Sequence, residues 1–374
     1  MSRWLVGGAV LALVGATAIE AETANSSAML SCTNRTKLAT WSNRRLAMQT
    51  IAVPVAETSL WRVRAEVHDG AGGVLLLGRS APSKLGPHIA ALESRVPGHL
   101  GLLVMTDEEG GGVQRMANLV GSLPWAAWMG KHWTAAEIRH AVAAVGSKMA
   151  AAHVNMDLAP VVDVDGKDVP PSSTDPDGWR SFSGSTAVAG RGGLAFMRGL
   201  TSSHVMAVLK HFPGLGGSTG NSDYGPAHTL PWSTLRKVAI PPFAGAIANG
   251  APAVMVANDT VPGLTRYPAS LSRIVISREL EGNLHFRGLV LTDALNAKAI
   301  SAAGFTVPEA AVRALKAGAD MVMFSAAPNV ASETRAIASA IVSSVAVGHL
   351  SRTRLIGAAA AVLAARHAEL CGHS

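Results

Sequence analysis

The segment Gly288-Leu289-Val290-Leu291-Thr292-Asp293 is the stretch from which the fold follows. A short run of apolar, branched residues suits a buried β-strand, and here a carboxylate follows it directly. Seven similar runs recur, separated by Ala-rich segments that are long enough to hold a helix. The eight predicted strands are 50–55, 73–77, 102–106, 154–158, 207–210, 253–257, 288–292 and 320–324.

Strands that alternate with helical segments predict a parallel sheet, and eight of them predict closure into a single-domain α/β fold, the (β/α)8 TIM barrel. An open doubly wound sheet is the alternative. Most of the runs end in polar residues, including Asp107, Asp163, His211, Asp259 and Asp293. In a barrel these strand ends meet at one mouth, where active sites lie. We therefore expect these side chains to converge.

The composition describes a globular protein of 374 residues, 48% hydrophobic and 15% charged. The net charge of +7 favours anionic surroundings such as cell-wall polymers. Nucleic acid is excluded as a partner, because no basic run is interleaved with aromatics and there is no zinc or helix-turn-helix pattern. The sequence indicates no cofactor.

The first 18 residues read as a secretory signal peptide. Arg3 precedes an apolar run over 4–14, and Ala16-Thr17-Ala18 forms a small-x-small cleavage pattern. The run is shorter than the roughly 20 residues of a membrane span, although an uncleaved anchor stays open. The predicted division is a signal peptide (1–18), an N-terminal extension (19–45) and the barrel (46–374). An exported protein is expected, either secreted, periplasmic or associated with the cell envelope.

The chain has two cysteines, Cys32 and Cys371. Because the two ends of a barrel meet, a disulfide between them is predicted for an exported chain. Met29-Leu30-Ser31-Cys32 loosely resembles a lipid-attachment site, which is the competing interpretation. A third interpretation is that both cysteines are free thiols.

Asp293 is the best candidate for a nucleophilic carboxylate, because a buried strand would hold its backbone at the rim of the barrel. Hydrolysis of a glycosidic bond needs such a group and a second acid that protonates the departing oxygen. A single Asp after a strand is equally often the N-cap of the following helix.

Two further segments carry polar groups at strand ends. Lys210-His211 precedes a glycine-rich stretch, and the loop 218–224 that follows could close over a ligand. A plain surface loop is the alternative. The carboxylates 107–109 should repel each other unless one pairs with Arg115 or holds a ligand hydroxyl. A metal site here is disfavoured, since no accompanying His or Asp has ligand spacing.

Four segments together resemble glycoside hydrolase family 3, and specifically its single-domain β-N-acetylglucosaminidase branch, which includes bacterial muropeptide-recycling enzymes and exported actinobacterial relatives. The resemblance runs from about residue 46 to residue 365. The segments are VMTDEEGGGVQRM (104–116), KHFPGLG (210–216), GLVLTDALNAKAI (288–300) and AGADMVMF (317–324).

This resemblance implies a retaining glycosidase that releases terminal β-linked N-acetylglucosamine from cell-wall-derived saccharides through a covalent intermediate on Asp293. It implies that one set of residues binds the sugar, that Asp163 supports them, and that Met255 lines the pocket. The implied sugar-binding residues are Asp107, Arg115, Arg180, Lys210 and His211.

The chain departs from the family pattern at the acid/base. Better-known members read Asp-Ser-His in the flexible loop, whereas this chain has Asn221-Ser222-Asp223. Asp223 could protonate the leaving oxygen if the closed loop shields it, and His228 is the alternative. Asn258 stands where many relatives have a His, and Gly112 where they have an Arg.

Three function classes remain open at this stage. The first is the glycosidase, acting as a monomer on a small saccharide or muropeptide, with a possible association with the cell wall or membrane surface. The second is a non-catalytic protein that binds cell-wall saccharides on the same scaffold. The third is a β-glucosidase or a phosphorolytic relative.

Overall fold

The computed structural model describes Met1 and residues 34–325, 327–368, 370 and 371. Residues 2–33, which include the rest of the predicted signal peptide and Cys32, lie outside this part of the chain. The predicted pairing of Cys32 with Cys371 therefore stays a prediction. In the part of the chain that is described, no helix is long and apolar enough to span a membrane.

The described residues form ten β-strands, eight of them in one parallel central sheet. The strands are β1 Ile51–Val55, β2 Gly73–Leu76, β3 Leu103–Thr106, β4 Glu108–Gly110, β5 Val113–Gln114, β6 Met156–Asp157, β7 Met206–Phe212, β8 Ala253–Val256, β9 Leu289–Thr292 and β10 Val322–Met323. A short antiparallel hairpin, β4–β5, follows β3. Around the sheet the order is β10-β1-β2-β3-β6-β7-β8-β9, and a parallel bridge between Leu291 and Met321 joins the two ends of this order, so that the barrel closes.

Side chains alternate between two apolar layers along each strand, as the two-residue period of a strand requires. On β8, Ala253 and Met255 belong to the cluster that fills the barrel, whereas Val254 and Val256 belong to the layer beneath the helices. Both layers are buried, which explains why the strands read as continuous apolar runs rather than alternating ones.

The helices form the outer ring, and two of the longer ones begin with a capping box, at Thr134 with Glu137 and at Thr306 with Glu309. A π-helical segment covers Ile274–Asn283. The α-helices are α1 Asn34–Leu38, α2 Asn43–Gln49, α3 Arg64–His68, α4 Leu85–Glu93, α5 Ala117–Val120, α6 Ala126–His132, α7 Ala135–Ala151, α8 Thr186–Thr201, α9 Trp232–Val238, α10 Ile240–Ala248, α11 Lys298–Ala302, α12 Val307–Ala317, α13 Val330–Ala346 and α14 Arg352–Ala365. The 3-10 helices are Glu57–Val63, Pro97–His99, Gly178–Arg180 and Ala269–Leu271.

Helix α14 closes the barrel at the N-terminal ends of the strands. Its Val362 is part of the interior cluster, and Arg366 just beyond it donates to the carbonyl of Gly101 at 2.9 Å. Burial lowers the pKa of Arg366 to about 10. In the described part of the chain this end of the barrel is therefore plugged, whereas a pocket opens at the opposite end.

The predicted (β/α)8 barrel is confirmed, and each of the eight predicted runs contains a strand. Differences are confined to the ends of the runs. The described part of the predicted N-terminal extension packs on the barrel: Leu38 is fully buried, and Asn34 donates to the Ala368 carbonyl at 2.8 Å.

Leu103→Ala should destabilise the barrel by about 2–5 kcal/mol, since it empties space in the closed interior far from the mouth. Leu103 is 1% exposed. Chemical denaturation measures the change. Val347→Ala is the control, because Val347 is 67% exposed and should change stability by no more than about 0.5 kcal/mol. Equal effects of the two substitutions would contradict this packing.

Candidate active site

A pocket of about 380 Å³ opens at the C-terminal ends of the strands. Eight of the residues predicted for the site line it, and they come from five different segments of the chain. These eight are Asp107, Arg115, Arg180, Lys210, His211, Asp223, Met255 and Asp293. The structure thus brings together residues that are up to 186 positions apart in the sequence, as the barrel predicts.

Glu109 lies at the centre of a buried cluster of charges. Arg180 donates to both of its oxygens, each at 2.8 Å, and the Lys210 ammonium lies 2.5 Å from Oε1. Lys210 also donates to Asp107 at 2.8 Å. Burial alone would raise the pKa of Glu109, but the charges of Arg180 and Lys210 outweigh it and hold the pKa well below its ordinary value. The cluster is therefore ionised, and it presents fixed donors and acceptors to the pocket.

The hairpin β4–β5 divides the three consecutive carboxylates between two faces. Asp107 and Glu109 lie on the pocket side, whereas Glu108 turns away and accepts from Met116 N at 2.5 Å and from Gln114 Nε2 at 2.9 Å. Burial raises the pKa of Glu108 to about 7. Glu108 thus holds the hairpin that carries Arg115, whose guanidinium lies 3.6 Å from Asp107.

Asp163 fixes the imidazole and the loop after β7. Its Oδ2 lies 2.7 Å from Nδ1 of His211, and its Oδ1 accepts from Leu215 N at 2.8 Å. The other ring nitrogen of His211 lies 3.3 Å from a nitrogen of Arg180, which donates to it. Asp163 is fully buried and does not line the pocket. It orients His211 rather than contacting a ligand.

Asp293 follows β9 and faces the pocket. Its Oδ1 accepts from Ala294 N at 2.6 Å, and its own N–H donates to the Val256 carbonyl at 2.9 Å. The next helix, α11, begins only at Lys298, with Ala297 as its N-cap. Asp293 is therefore not the N-cap that its position after a strand also allowed.

Asn258 secures the turn that carries Asp293. It donates to the Ala294 carbonyl at 2.8 Å and accepts from the Ser270 hydroxyl at 2.6 Å, and it is buried. An uncharged amide that donates and accepts at the same time meets both requirements. Asn258 thus has a structural role beneath Asp293.

Asp223 lies on the loop that borders the pocket. Although its side chain is exposed at the mouth, neighbouring protein displaces enough water to raise its pKa, and the charge of Asp293 raises it further, to about 6. The loop is tied to the segment after β9, because Ala299 N donates to the Ser222 carbonyl at 3.0 Å. Asp223 can therefore hold a proton while facing Asp293.

The structure does not bring His228 to the pocket. His228 lies at the far end of the loop, is exposed, and contacts the hydroxyl of Thr260 through Nδ1. It is absent from the residues that line the pocket among those described. Of the two candidates for the acid/base, the geometry favours Asp223.

Gly112 leaves room for an aromatic ring. A Cβ at this position would lie 2.9 Å from the Trp125 ring, and one at Gly111 would lie 2.0 Å from it. The two glycines therefore allow the Trp125 indole to pack closely against the hairpin.

One group of side chains among the described residues could hold a metal ion: ligand atoms of Asp163, Asp177 and His211 lie within 4.8 Å of one another. Asp163 already binds His211 and two backbone N–H groups, and Arg180 lies against the same imidazole. Burial, and then the charge of Asp163, raise the pKa of Asp177 well above its ordinary value. A protonated Asp177 satisfies the electrostatics here without an ion.

Sequence reasoning missed the parts of the site that depend on register. The alternation of a strand places Glu109 on the same side as Asp107, a signal that the run of three carboxylates obscures. Asp259 is predicted at a strand end, but its role is not: it accepts from the Ser218 hydroxyl at 2.5 Å and anchors the loop. The apolar floor formed by Leu75, Leu158 and Met323 carries no distinguishing signal in the sequence.

Residues 63–365 match the family profile described as glycosyl hydrolase family 3 N terminal domain. This chain belongs to glycoside hydrolase family 3. The match begins after β1 and covers the other strands of the barrel and the described residues that line the pocket.

The chain is 35% identical over 233 residues to "Beta-hexosaminidase LpqI" of Mycobacterium tuberculosis, an alignment that spans 61% of this chain but only 59% of that relative. The solved structure of M. tuberculosis LpqI superposes with a TM-score of 0.80 at 30% identity, over 90% of this chain and 96% of that one.

Two other relatives are similar over more of their length. One is a "Beta-hexosaminidase" of Hydrogenovibrio crunogenus, 30% identical over 76% of this chain and 78% of the relative. The other is an "Uncharacterized secreted glycosyl hydrolase" of Arthroderma benhamiae, 31% identical over 79% and 84%.

Glu109→Gln should destabilise the fold by about 3–5 kcal/mol, because it leaves the buried cations of Arg180 and Lys210 with one fewer counter-charge. Unfolding in denaturant measures this loss in the free energy of unfolding. Asp69→Asn is the matched control: it breaks the exposed pair with Arg44 at 3.2 Å, which should contribute about 1 kcal/mol or less. If the two losses are alike, the cluster does not support the mouth of the barrel.

Proposed function

We propose that this protein is a retaining β-N-acetylglucosaminidase that cleaves terminal sugars from cell-wall-derived saccharides. The observation that carries the proposal is the pair of carboxyl groups, Asp293 and Asp223, on one small pocket beside a fixed cluster of charges. The family, and two relatives named as β-hexosaminidases, support the reaction class. A pocket of this size suits one sugar ring held at its end.

In the first step, Asp293 attacks the anomeric carbon, and the glycosidic oxygen leaves with a proton from Asp223. Because Ala294 holds Oδ1 of Asp293, we assign the attack to Oδ2. Lys210, Asp107 and Arg180 hold the ring hydroxyls, so that the anomeric carbon faces the carboxylate. The products are a covalent glycosyl-enzyme and a free alcohol on the aglycone.

In the second step, Asp223 takes a proton from water, whose oxygen attacks the same carbon. The bond to Asp293 breaks, and its electron pair returns to the carboxylate. Two inversions leave the configuration retained. The alternation of Asp223 between acid and base requires a pKa near the working pH, and its raised value of about 6 meets this requirement.

The proposed setting is outside the cell. The net charge of +7 favours contact with anionic wall polymers, and one relative is described as secreted. An N-terminal export segment in residues 1–18 agrees with both. Muropeptides, which carry terminal N-acetylglucosamine, are the substrates that we propose.

Asp293→Ala should lower kcat on 4-nitrophenyl β-N-acetylglucosaminide by about 10⁴-fold or more, since no covalent intermediate can form. Asp223→Ala should lower it by about 10²–10⁴-fold, and azide should restore turnover because it needs no general base. His228→Ala should stay near the parent rate. Near-normal turnover by Asp293→Ala would overturn the assignment of the nucleophile. If His228→Ala loses activity and azide does not rescue Asp223→Ala, the acid/base is His228.

The value of kcat/KM should fall as the pH rises through about 6. The group concerned is Asp223, which donates its proton in the first step and is protonated only below its pKa of about 6. In Asp223→Ala, measured with a 2,4-dinitrophenyl substrate whose leaving group needs no proton, this fall should disappear. A fall that persists at the same pH would assign the titration to another group.

Product analysis with purified muropeptides decides between the open function classes. The proposal expects free N-acetylglucosamine of β configuration first, at a rate that added phosphate leaves unchanged. Sugar phosphate as the main product would identify a phosphorolytic enzyme. Binding without any product would identify a saccharide-binding protein.

A further inference from the structure

A second cleft, of about 690 Å³, lies beside the active-site pocket and shares none of its lining residues. We call it the Trp groove and define it by the indoles of Trp125, Trp128 and Trp179 together with Lys131, Asp165 and Lys167. Trp128 is 45% exposed, and the other two indoles are half-buried. Exposed indoles gathered in a concave surface mark a binding site rather than ordinary packing.

Neighbouring side chains hold the three rings in place. Trp179 donates through Nε1 to Asp168 at 2.7 Å, and its ring centroid lies 5.9 Å from that of Trp125. Trp128 packs edge-on against Trp133, with ring centroids 5.4 Å apart. Rings that are fixed before binding lose little conformational entropy when a ligand stacks on them.

The charges in the Trp groove are balanced. Lys131 and Lys167 face Asp165 and Asp168, and Lys167 forms an ion pair at 2.7 Å with Asp175 on the adjoining loop. A groove with both signs offers hydrogen bonds in both directions but no net field for a polyanion. The matching ligand is neutral, with many hydroxyl and amide groups.

One loop connects the groove to the active site. Residues 165–168 line the groove, whereas Pro171, Ser172 and Pro176 of the same loop line the pocket. Trp179 and Arg180 are consecutive, and the first belongs to the groove while the second binds Glu109 in the pocket. A polymer that lies in the groove is therefore held close to the catalytic carboxylates.

We propose that the Trp groove binds the interior of a neutral chain of β-linked N-acetylated sugars, and so keeps the enzyme on a polymer whose ends the pocket cleaves. The apolar faces of pyranose rings stack on the indoles, and this burial of apolar surface supplies the affinity. Hydroxyl and acetamido groups bond to the flanking Asp and Lys side chains. The choice of sugar rests on the proposed function, whereas the existence of a saccharide site does not.

The test measures adsorption to insoluble chitin, which exposes many chain interiors for each chain end. Four proteins are compared, and all of them carry Asp293→Asn so that the polymer is not consumed. The parent carries this substitution alone, and the other three add Trp128→Ala, Trp128→Phe or Trp61→Ala. Trp61 is the matched control, because it is exposed and lies outside the groove. We expect Trp128→Ala to weaken adsorption about tenfold, Trp128→Phe to retain most of it, and Trp61→Ala to equal the parent.

The same three Trp variants in the active background should hydrolyse 4-nitrophenyl β-N-acetylglucosaminide at the parent rate, since this substrate fills only the pocket. Equal adsorption by all four proteins, or no adsorption by the parent, would overturn the proposal. The Trp groove would then be a candidate surface for binding a protein instead of a saccharide. Equal loss in Trp61→Ala and Trp128→Ala would also overturn it. If the active parent adsorbs through Trp128 but releases no nitrophenol, the proposed function fails and the saccharide site stands.

Discussion

The ion cluster around Glu109 is the interaction on which the site depends. Its buried carboxylate lies between the guanidinium of Arg180 and the ammonium of Lys210, at the wall of the pocket. Neither cation could be buried at the mouth alone, because an unpaired charge in the interior costs several kcal/mol. Closure of the barrel brings the three groups together from distant parts of the chain, so that the fold and the site require each other.

Three residues near the site have distinct physical roles. Asn258 supports the turn beneath Asp293, because its amide both donates and accepts. Gly112 leaves room for Trp125 and so places an aromatic ring beside the hairpin. At the mouth, burial and then the charge of Asp293 raise the pKa of Asp223 to about 6, into the range where a His titrates.

The barrel could be predicted from the sequence because the strands are continuous apolar runs, most of which end in a polar residue. The same rule located Lys210, His211 and Asp293, whose positions follow from the strand ends. Glu109 depends on the register of a hairpin, and the choice between Asp223 and His228 depends on the path of a loop. The Trp groove joins indoles 54 positions apart, which no local pattern connects.

During turnover Asp293 should form a covalent bond to the sugar. A slowly turning 5-fluoro N-acetylglucosaminyl donor, followed by acid quench and peptide mass spectrometry, detects this bond. We expect one glycosyl group on the peptide that contains Asp293, and its loss when excess acceptor restores activity. An enzyme that turns the donor over with this peptide unmodified, or that carries the label on another residue, would rule out Asp293 as the nucleophile.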